Sequence, residues 1–401
     1  MLIANPNATR GAYPEDLRAL MNTQLADENR AWLSTWSHLS GSATPLWDMP
    51  GLARQLGVGQ LLIKDESVRS DLGSFKALGA PIALLRLILR RFPEHDFEPR
   101  ALLAGKHRDA LADFSVISAT DGNHGRALAA AAQSIGCRCV IVLHAHVSQE
   151  REQAIAAYGA VIVRIRGNYD DSVQEAAALA ARNGWTVVSD TSYERYEEIP
   201  RDVMQGYGTI AAELIEAGGP FTHVLLQGGV GGLAAGVVSY FWERCGADRP
   251  TFIVVEPRQA DCLYQSALAG HPTRASGSVD SVMAGLACGE TSPLAWKFLA
   301  GGVDHFMTIE DEAAVSAMRQ LAAGAAGDVP LVAGESAAAG LAGLAQLMAS
   351  APLAAQVGLD GNSRVVLLST EGATAPDLYA ELVGSTAEAV LQRQRAWLQA
   401  R

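Results

Sequence analysis

The sequence predicts an α/β fold built as two parallel-sheet α/β blocks. Short apolar runs alternate with helix-length stretches between residues 139 and 190, and the same rhythm returns after residue 200. The Ala- and Gly-rich stretches keep the periodicity of buried helices, with no low-complexity linker or solenoid-length repeat between them. Strands joined by helices at this spacing need right-handed crossovers, and hence parallel sheets.

Taken in order, "CVIVLHA" (Cys139–Ala145) is a strand-length apolar run. "SQEREQAIAAYG" reads as a helix with Ser148 as N-cap and Gly159 as stop. "AVIVRI" is the next strand, "NYDDSVQEAAALAARNG" a helix ending at Gly184, and "WTVVSD" a strand ending at Asp190. The spacing then predicts a helix over Asp202–Ala217, the strand "THVLLQ", the turn "GGVGG", a small-residue helix to Glu243 and the strand "TFIVVE". An Ala-rich helix over Ser336–Met348 and the strand "RVVLLS" (Arg364–Ser369) close the pattern.

A chain of 401 residues, 49% apolar and 18% charged, can bury the cores of two domains. A net charge of −12 with no basic run argues against nucleic acid and against an anionic membrane as partners. The N-terminal "MLIANPNATRGAYPEDL" lacks the pattern of a secretory signal, and the apolar stretch Ala77–Leu89 is broken by Arg86 and too short to span a bilayer. Five scattered cysteines with no CxxC pair predict a reduced, cytoplasmic protein; the spacing leaves open whether Cys262 meets Cys288. "HAH" (His144–His146) would send two imidazoles to opposite faces of a strand, so no metal is expected.

"QGGVGGLAAG" (Gln227–Gly236) joins a strand to a helix. Glycines let a backbone approach a phosphate, and the helix N-terminus favours an anion. Gly229–Ala234 also satisfies G-x-G-x-x-A, and Glu256 closes the next strand 24 residues after Gly232. Three readings stand at this point: a tight turn without a ligand, a phosphate cradle, or a dinucleotide site whose acid holds a ribose.

The chain has four lysines against 27 arginines, and Lys76 sits in "RSDLGSFKALGA". With Ser74 as N-cap, Lys76 falls in the first turn of a helix, where the macrodipole and small apolar neighbours favour a neutral amine. A neutral amine attacks a carbonyl to form a Schiff base. A snorkelling surface lysine is the alternative. "TDGNHG" (Thr120–Gly125) is a polar turn opening an Ala-rich helix. Its N–H groups point where an anion can sit, Asn123 can donate to an oxygen, and Asp121 can move a proton. Read alone, it is equally an Asp-Gly turn with an N-cap.

In this order the segments resemble fold-type II pyridoxal phosphate enzymes, and more closely the diaminopropionate ammonia-lyase family. The resemblance rests on "LLIKDESVRSDLGSFKALG", "TDGNHGRALA", "GNYDDSV", "VVSDTSYERYEEIPRDVMQGYGT", "THVLLQGGVG", "VEPRQADCLYQS", "VMAGLACGE", "GESAAAG" and "LLSTEG", and extends over residues 44–372. It implies a small domain, 90–200, and a large one, 1–89 plus 201–401, with the active site between them. Pyridoxal 5′-phosphate would be held by Lys76 and flanked by Phe75, with Asn123 on its phenolic oxygen. Gly228, Gly229, Val230, Gly231 and Gly232 would hold its phosphate. The hydroxyl of Ser369, or next Thr370, would meet its ring nitrogen, a neutral partner suited to prompt β-elimination.

The implied reaction is β-elimination of 2,3-diaminopropionate, D and/or L, to pyruvate and ammonia. Asp121 would be the base for the D form, and Asp190 with Lys76 for the L form. Thr120, Gly122 and His124 would join the two aspartates in binding substrate, and a homodimer is implied. The alternative is a related serine/threonine dehydratase or β-replacement enzyme; Asp121 argues against it, because the dehydratases tend to carry serine there. Tyr193, Tyr196, Glu335 and Glu371 lie in family-like segments without an assigned step, and Glu335 reads as a helix cap. Asp71 is an unexpected charge beside the cofactor loop, and the first 40 residues match no motif.

Overall fold

The computed structural model describes residues 1–120, 122–145, 147–167 and 169–400, with the backbone alone at 170 and 326; Asp121 and His146 lie outside the described residues. The strands are β1 (Leu2–Ala4), β2 (Leu46–Asp48), β3 (Gln60–Asp65), β4 (Ser115–Ala119), β5 (Arg138–Leu143), β6 (Val161–Arg164), β7 (Thr186–Val187), β8 (His223–Gln227), β9 (Thr251–Pro257), β10 (His305–Ile309) and β11 (Arg364–Ser369). They form a seven-stranded sheet, β1-β10-β9-β8-β11-β3-β2, and a four-stranded one, β6-β5-β4-β7. The small sheet is parallel throughout. The large sheet is parallel except at its edges, where β1 and β2 run antiparallel to β10 and β3. β8 and β11 are buried almost end to end, because helices cover both faces; such strands read as continuous apolar runs rather than alternating ones.

Three differences from the sequence reading bear on the site. The strand expected over "WTVVSD" pairs only at Thr186–Val187. It lies at the sheet edge, and beyond it the Tyr196 hydroxyl replaces a ladder partner, donating to the Val187 carbonyl (2.9 Å) and accepting from Ser189 N–H (2.9 Å). This frees Asp190 from the sheet. The Ala-rich helix starts at Ala339 rather than Ser336, because Gly334 N–H is held by the Glu371 carbonyl at 3.0 Å. Glu335 therefore caps no helix. Finally, Ser74 is not a side-chain cap. Lys76 lies in a single 3₁₀ turn, Phe75–Leu78, ahead of the helix Ala80–Arg91, and the buried Ser74 hydroxyl finds no partner among the described residues.

Close packing fixes that turn. The helix Glu198–Glu216 passes directly beneath it at Gly206, where a Cβ would lie 2.0 Å from the Leu78 carbonyl oxygen. A buried ion network braces the chain between β3 and the turn. Lys64 donates to Glu213 (2.5 Å) and to the Thr44 carbonyl (2.7 Å), while Arg69 forks onto both Glu66 and Glu213. Burial alone would raise the Glu213 pKa, but the two cations hold it below its ordinary value. Among the described residues no single helix is long and apolar enough to cross a membrane.

Removing one partner from such a network strands the others in low dielectric. Glu213→Leu is expected to lower unfolding stability by about 3–5 kcal/mol, measured by urea denaturation. A loss below about 1 kcal/mol, the size of an exposed pair, would contradict the assignment.

Candidate active site

Lys76 is placed by its neighbours in sequence. Phe75 N–H donates to the Thr370 carbonyl at the end of β11 (3.0 Å), and Ser74 bridges Glu371. From there Lys76 Nζ reaches Asp190 Oδ2, just past the small sheet's β7, at 2.6 Å. Burial pulls the lysine pKa down, but the Asp190 charge and hydrogen bond outweigh it and leave it above the ordinary value. Asp190 is correspondingly held below the usual carboxylate range, against burial, by Lys76. The expectation of a neutral amine is thus corrected: the pair is an ammonium with a carboxylate. Attack on a carbonyl needs the neutral form, and Asp190 is the acceptor in contact.

Phe75 lies under the lysine, with Nζ 5.2 Å from its ring centre. It packs edge-on against Tyr207 at 4.8 Å. Tyr207 was missed in the sequence. It sits mid-helix with no motif, yet its ring is 5.9 Å from Lys76 Nζ, and its buried hydroxyl has no partner among the described residues.

The five residues Gly228–Gly232 form the turn from β8 into the helix Gly232–Cys245. Gly229 and Gly231 adopt φ of 65° and 100°, which turns N–H groups outward in a way an L side chain would resist. The N–H groups of Gly229, Val230 and Gly232 have no acceptor among the described residues. The dinucleotide reading fails on Glu256. That carboxylate is fully buried and accepts from Leu263 and Tyr264 N–H (2.9 and 2.7 Å), capping the helix Cys262–Ala269. Burial pushes its pKa up to about 8, and no ribose can reach it. Cys262 keeps a free thiol that donates to the Gly229 carbonyl at 3.3 Å, so it is not bridged to Cys288.

Around this turn stand the other predicted residues. His124 is buried with its Nε2 3.0 Å from the Val188 carbonyl, which makes Nε2 the protonated nitrogen and leaves Nδ1 facing Asp190 at 3.9 Å. Burial lowers its pKa, and the imidazole is neutral. Asn123 opens the helix Asn123–Ile135 after Gly122, and its Nδ2 donates to Glu371 Oε2. Thr120 packs against Gly125, where a Cβ would lie 2.6 Å from the threonine methyl. Ser369 ends β11 and Thr370 follows it, and the Ser369 hydroxyl is buried without a partner among the described residues. Asp71 does not face the site. It pairs with His38 at 2.7 Å and is 56% exposed.

These features fit pyridoxal 5′-phosphate. An unpartnered buried hydroxyl costs about 1–3 kcal/mol, and a ring nitrogen would satisfy Ser369. The outward N–H groups of the turn suit a phosphate. At Gly228 a Cβ would lie 2.4 Å from Glu256 Cγ, so Gly228→Ala must displace either the turn or the helix cap. That variant is expected to weaken cofactor binding at least tenfold in a titration of the apoprotein, with unchanged affinity as the contrary result. In the apoprotein, Asp190→Asn is expected to lower the pH at which Lys76 reacts with an acylating reagent, because burial then acts unopposed; an unmoved profile would contradict the pairing.

Comparison with known proteins agrees with this geometry. The family model for pyridoxal-phosphate dependent enzymes matches residues 39–371. The diaminopropionate ammonia-lyase of Salmonella typhimurium is 39% identical over 355 residues, covering 85% of this chain and 88% of that one. The crystal structure of the holo diaminopropionate ammonia lyase from Escherichia coli superposes with a TM-score of 0.87 at 34% identity, over 96% of each chain. Its complex with an aminoacrylate-PLP azomethine reaction intermediate gives 0.85 over the same share of each. The chain belongs to the pyridoxal-phosphate-dependent enzymes and, within them, to the diaminopropionate ammonia-lyase family.

Proposed function

We propose that this chain catalyses β-elimination of 2,3-diaminopropionate, in the D and/or L form, to pyruvate and ammonia. The observation that carries the reading is the Lys76–Asp190 pair, an amine and a carboxylate 2.6 Å apart at the cofactor site. When bound, pyridoxal 5′-phosphate supplies an electron sink that makes the substrate Cα–H acidic. Lys76 would hold the cofactor as a neutral amine, and when not so engaged its nitrogen could accept a proton. Asp190 holds that proton beside Lys76 and draws the substrate's ammonium groups. For the L form, the Cα proton goes to the Lys76–Asp190 pair. The Cα–H electrons form the Cα–Cβ double bond, and the β-ammonium leaves as ammonia with the Cβ–N electron pair. The released aminoacrylate takes up water and yields pyruvate and a second ammonia.

For the D form the proposed base is Asp121. Asn123 would bind the phenolic oxygen, Phe75 would flank the ring, Ser369 or Thr370 would meet the ring nitrogen, and Gly228–Gly232 would hold the phosphate. Thr120, Gly122 and His124 complete the proposed substrate wall. The neutral His124 suits this, since a second cation would repel a diamine. The proposed domains follow the two sheets, 90–200 against 1–89 plus 201–401. A homodimer is proposed from the family resemblance. A cytoplasmic location is proposed from the acidic charge and the free thiols of Cys137, Cys139, Cys245 and Cys262.

The test is a substrate panel. Pyruvate should form from D- and L-2,3-diaminopropionate in preference to serine, threonine and cysteine. Lys76→Ala should abolish it, and Asp190→Asn should slow the L form by roughly 10²–10⁴-fold, the range of general acid–base catalysis, while sparing the D form more. Keto acid from L-serine or L-threonine alone would overturn the reading.

A further inference from the structure

Glu335 and Glu371 are the acidic side chains at this site to which the chemistry above gives no task. Glu371 follows β11, and its main chain is clamped on two sides: its carbonyl accepts from Gly334 N–H at 3.0 Å, and it bridges Ser74 beside the lysine. Its side chain is 5% exposed. Oε2 accepts from Asn123 Nδ2 and, at 3.4 Å, from Thr374 Oγ1. Glu335 is buried next to it, with the Arg151 guanidinium 3.7 Å away. Burial and the Glu371 charge push the Glu335 pKa up to about 7, and burial raises Glu371 against the pull of Asn123, Arg151, Ser336 and Thr374.

The consequence is geometric. Glu371 Oε2 accepts from Asn123, so the end of the Asn123 amide that faces Glu371 is Nδ2. Nδ2 has two N–H bonds, and Glu371 takes one of them. The second remains for another acceptor, and the amide cannot flip to present Oδ1 in its place without setting an oxygen against the carboxylate.

We propose that Glu371 is a positioning residue whose carboxylate sets the Asn123 amide so that Nδ2 donates to the phenolic oxygen of bound pyridoxal 5′-phosphate. This rests on the role given to Asn123 above.

The experiment is a double-mutant cycle read on the cofactor. Apoprotein is titrated with pyridoxal 5′-phosphate, and the dissociation constant and visible absorption maximum are recorded for wild type, Glu371→Gln, Asn123→Ala and the double variant. Trading a charged acceptor for a neutral one should weaken binding roughly fivefold and move the maximum in the presence of Asn123. In the Asn123→Ala background the same change should do neither. An equal effect in both backgrounds, or none in either, would overturn the proposal. Should Glu371→Gln fail to fold, Glu335→Gln serves. It leaves the Asn123–Glu371 bond in place and should keep the wild-type maximum, whereas a shift equal to that of Asn123→Ala would overturn the proposal. None of these readouts uses turnover of diaminopropionate, so a failure here is separate from a failure of the lyase reading.

Discussion

The ion pair between Lys76 and Asp190 is the constraint around which this molecule is arranged. Its two members come from a 3₁₀ turn and from the segment past β7, 114 residues apart in sequence, and meet at 2.6 Å. Such a contact is only as good as the two backbones behind it. On one side, the Lys64–Glu213–Arg69–Glu66 network and the Phe75–Thr370 hydrogen bond hold the 3₁₀ turn. On the other, Tyr196 ends β7 early, and His124 grips the Val188 carbonyl two residues before Asp190. The pair reverses what local position alone implies for the lysine: burial disfavours the ammonium, and one well-placed carboxylate overrules it.

Some buried polar groups are answered by protein partners, as with Glu256 on its helix N-terminus and Glu213 between two cations. Around Lys76 several such groups go unanswered together. The hydroxyls of Ser74, Tyr207 and Ser369, Nδ1 of His124 and Oε1 of Glu371 are all buried without partners among the described residues. A group of unanswered donors and acceptors beside a turn of outward N–H groups is what a site for a polar, phosphorylated ring looks like from the protein side.

The sheets were legible where burial made them so. "HVLLQ", "TFIVVE" and "RVVLLS" are central strands covered on both faces, and their composition says so directly. The edges were not. β1 and β2 have three residues each and no period to read, and β7 was overextended because a tyrosine hydroxyl six residues after Asp190 decides where it stops. The order of the lysine, the asparagine loop and the glycine turn is distinctive enough to point to a family. The ionisation of Lys76 could not be read, because it depends on a partner that only the fold brings near. Glu256 matched a dinucleotide spacing and turned out to be a helix cap. Tyr207 lay in an amphipathic helix where nothing in one dimension separates a site residue from a core one.

The central claim is that Lys76, and no other lysine, carries the cofactor. With only four lysines in the chain, the most direct measurement is borohydride reduction of the holoprotein followed by peptide mass mapping. The account predicts a phosphopyridoxyl mass on Lys76 alone. The same mass on Lys64, Lys106 or Lys297, with Lys76 unmodified, would contradict it.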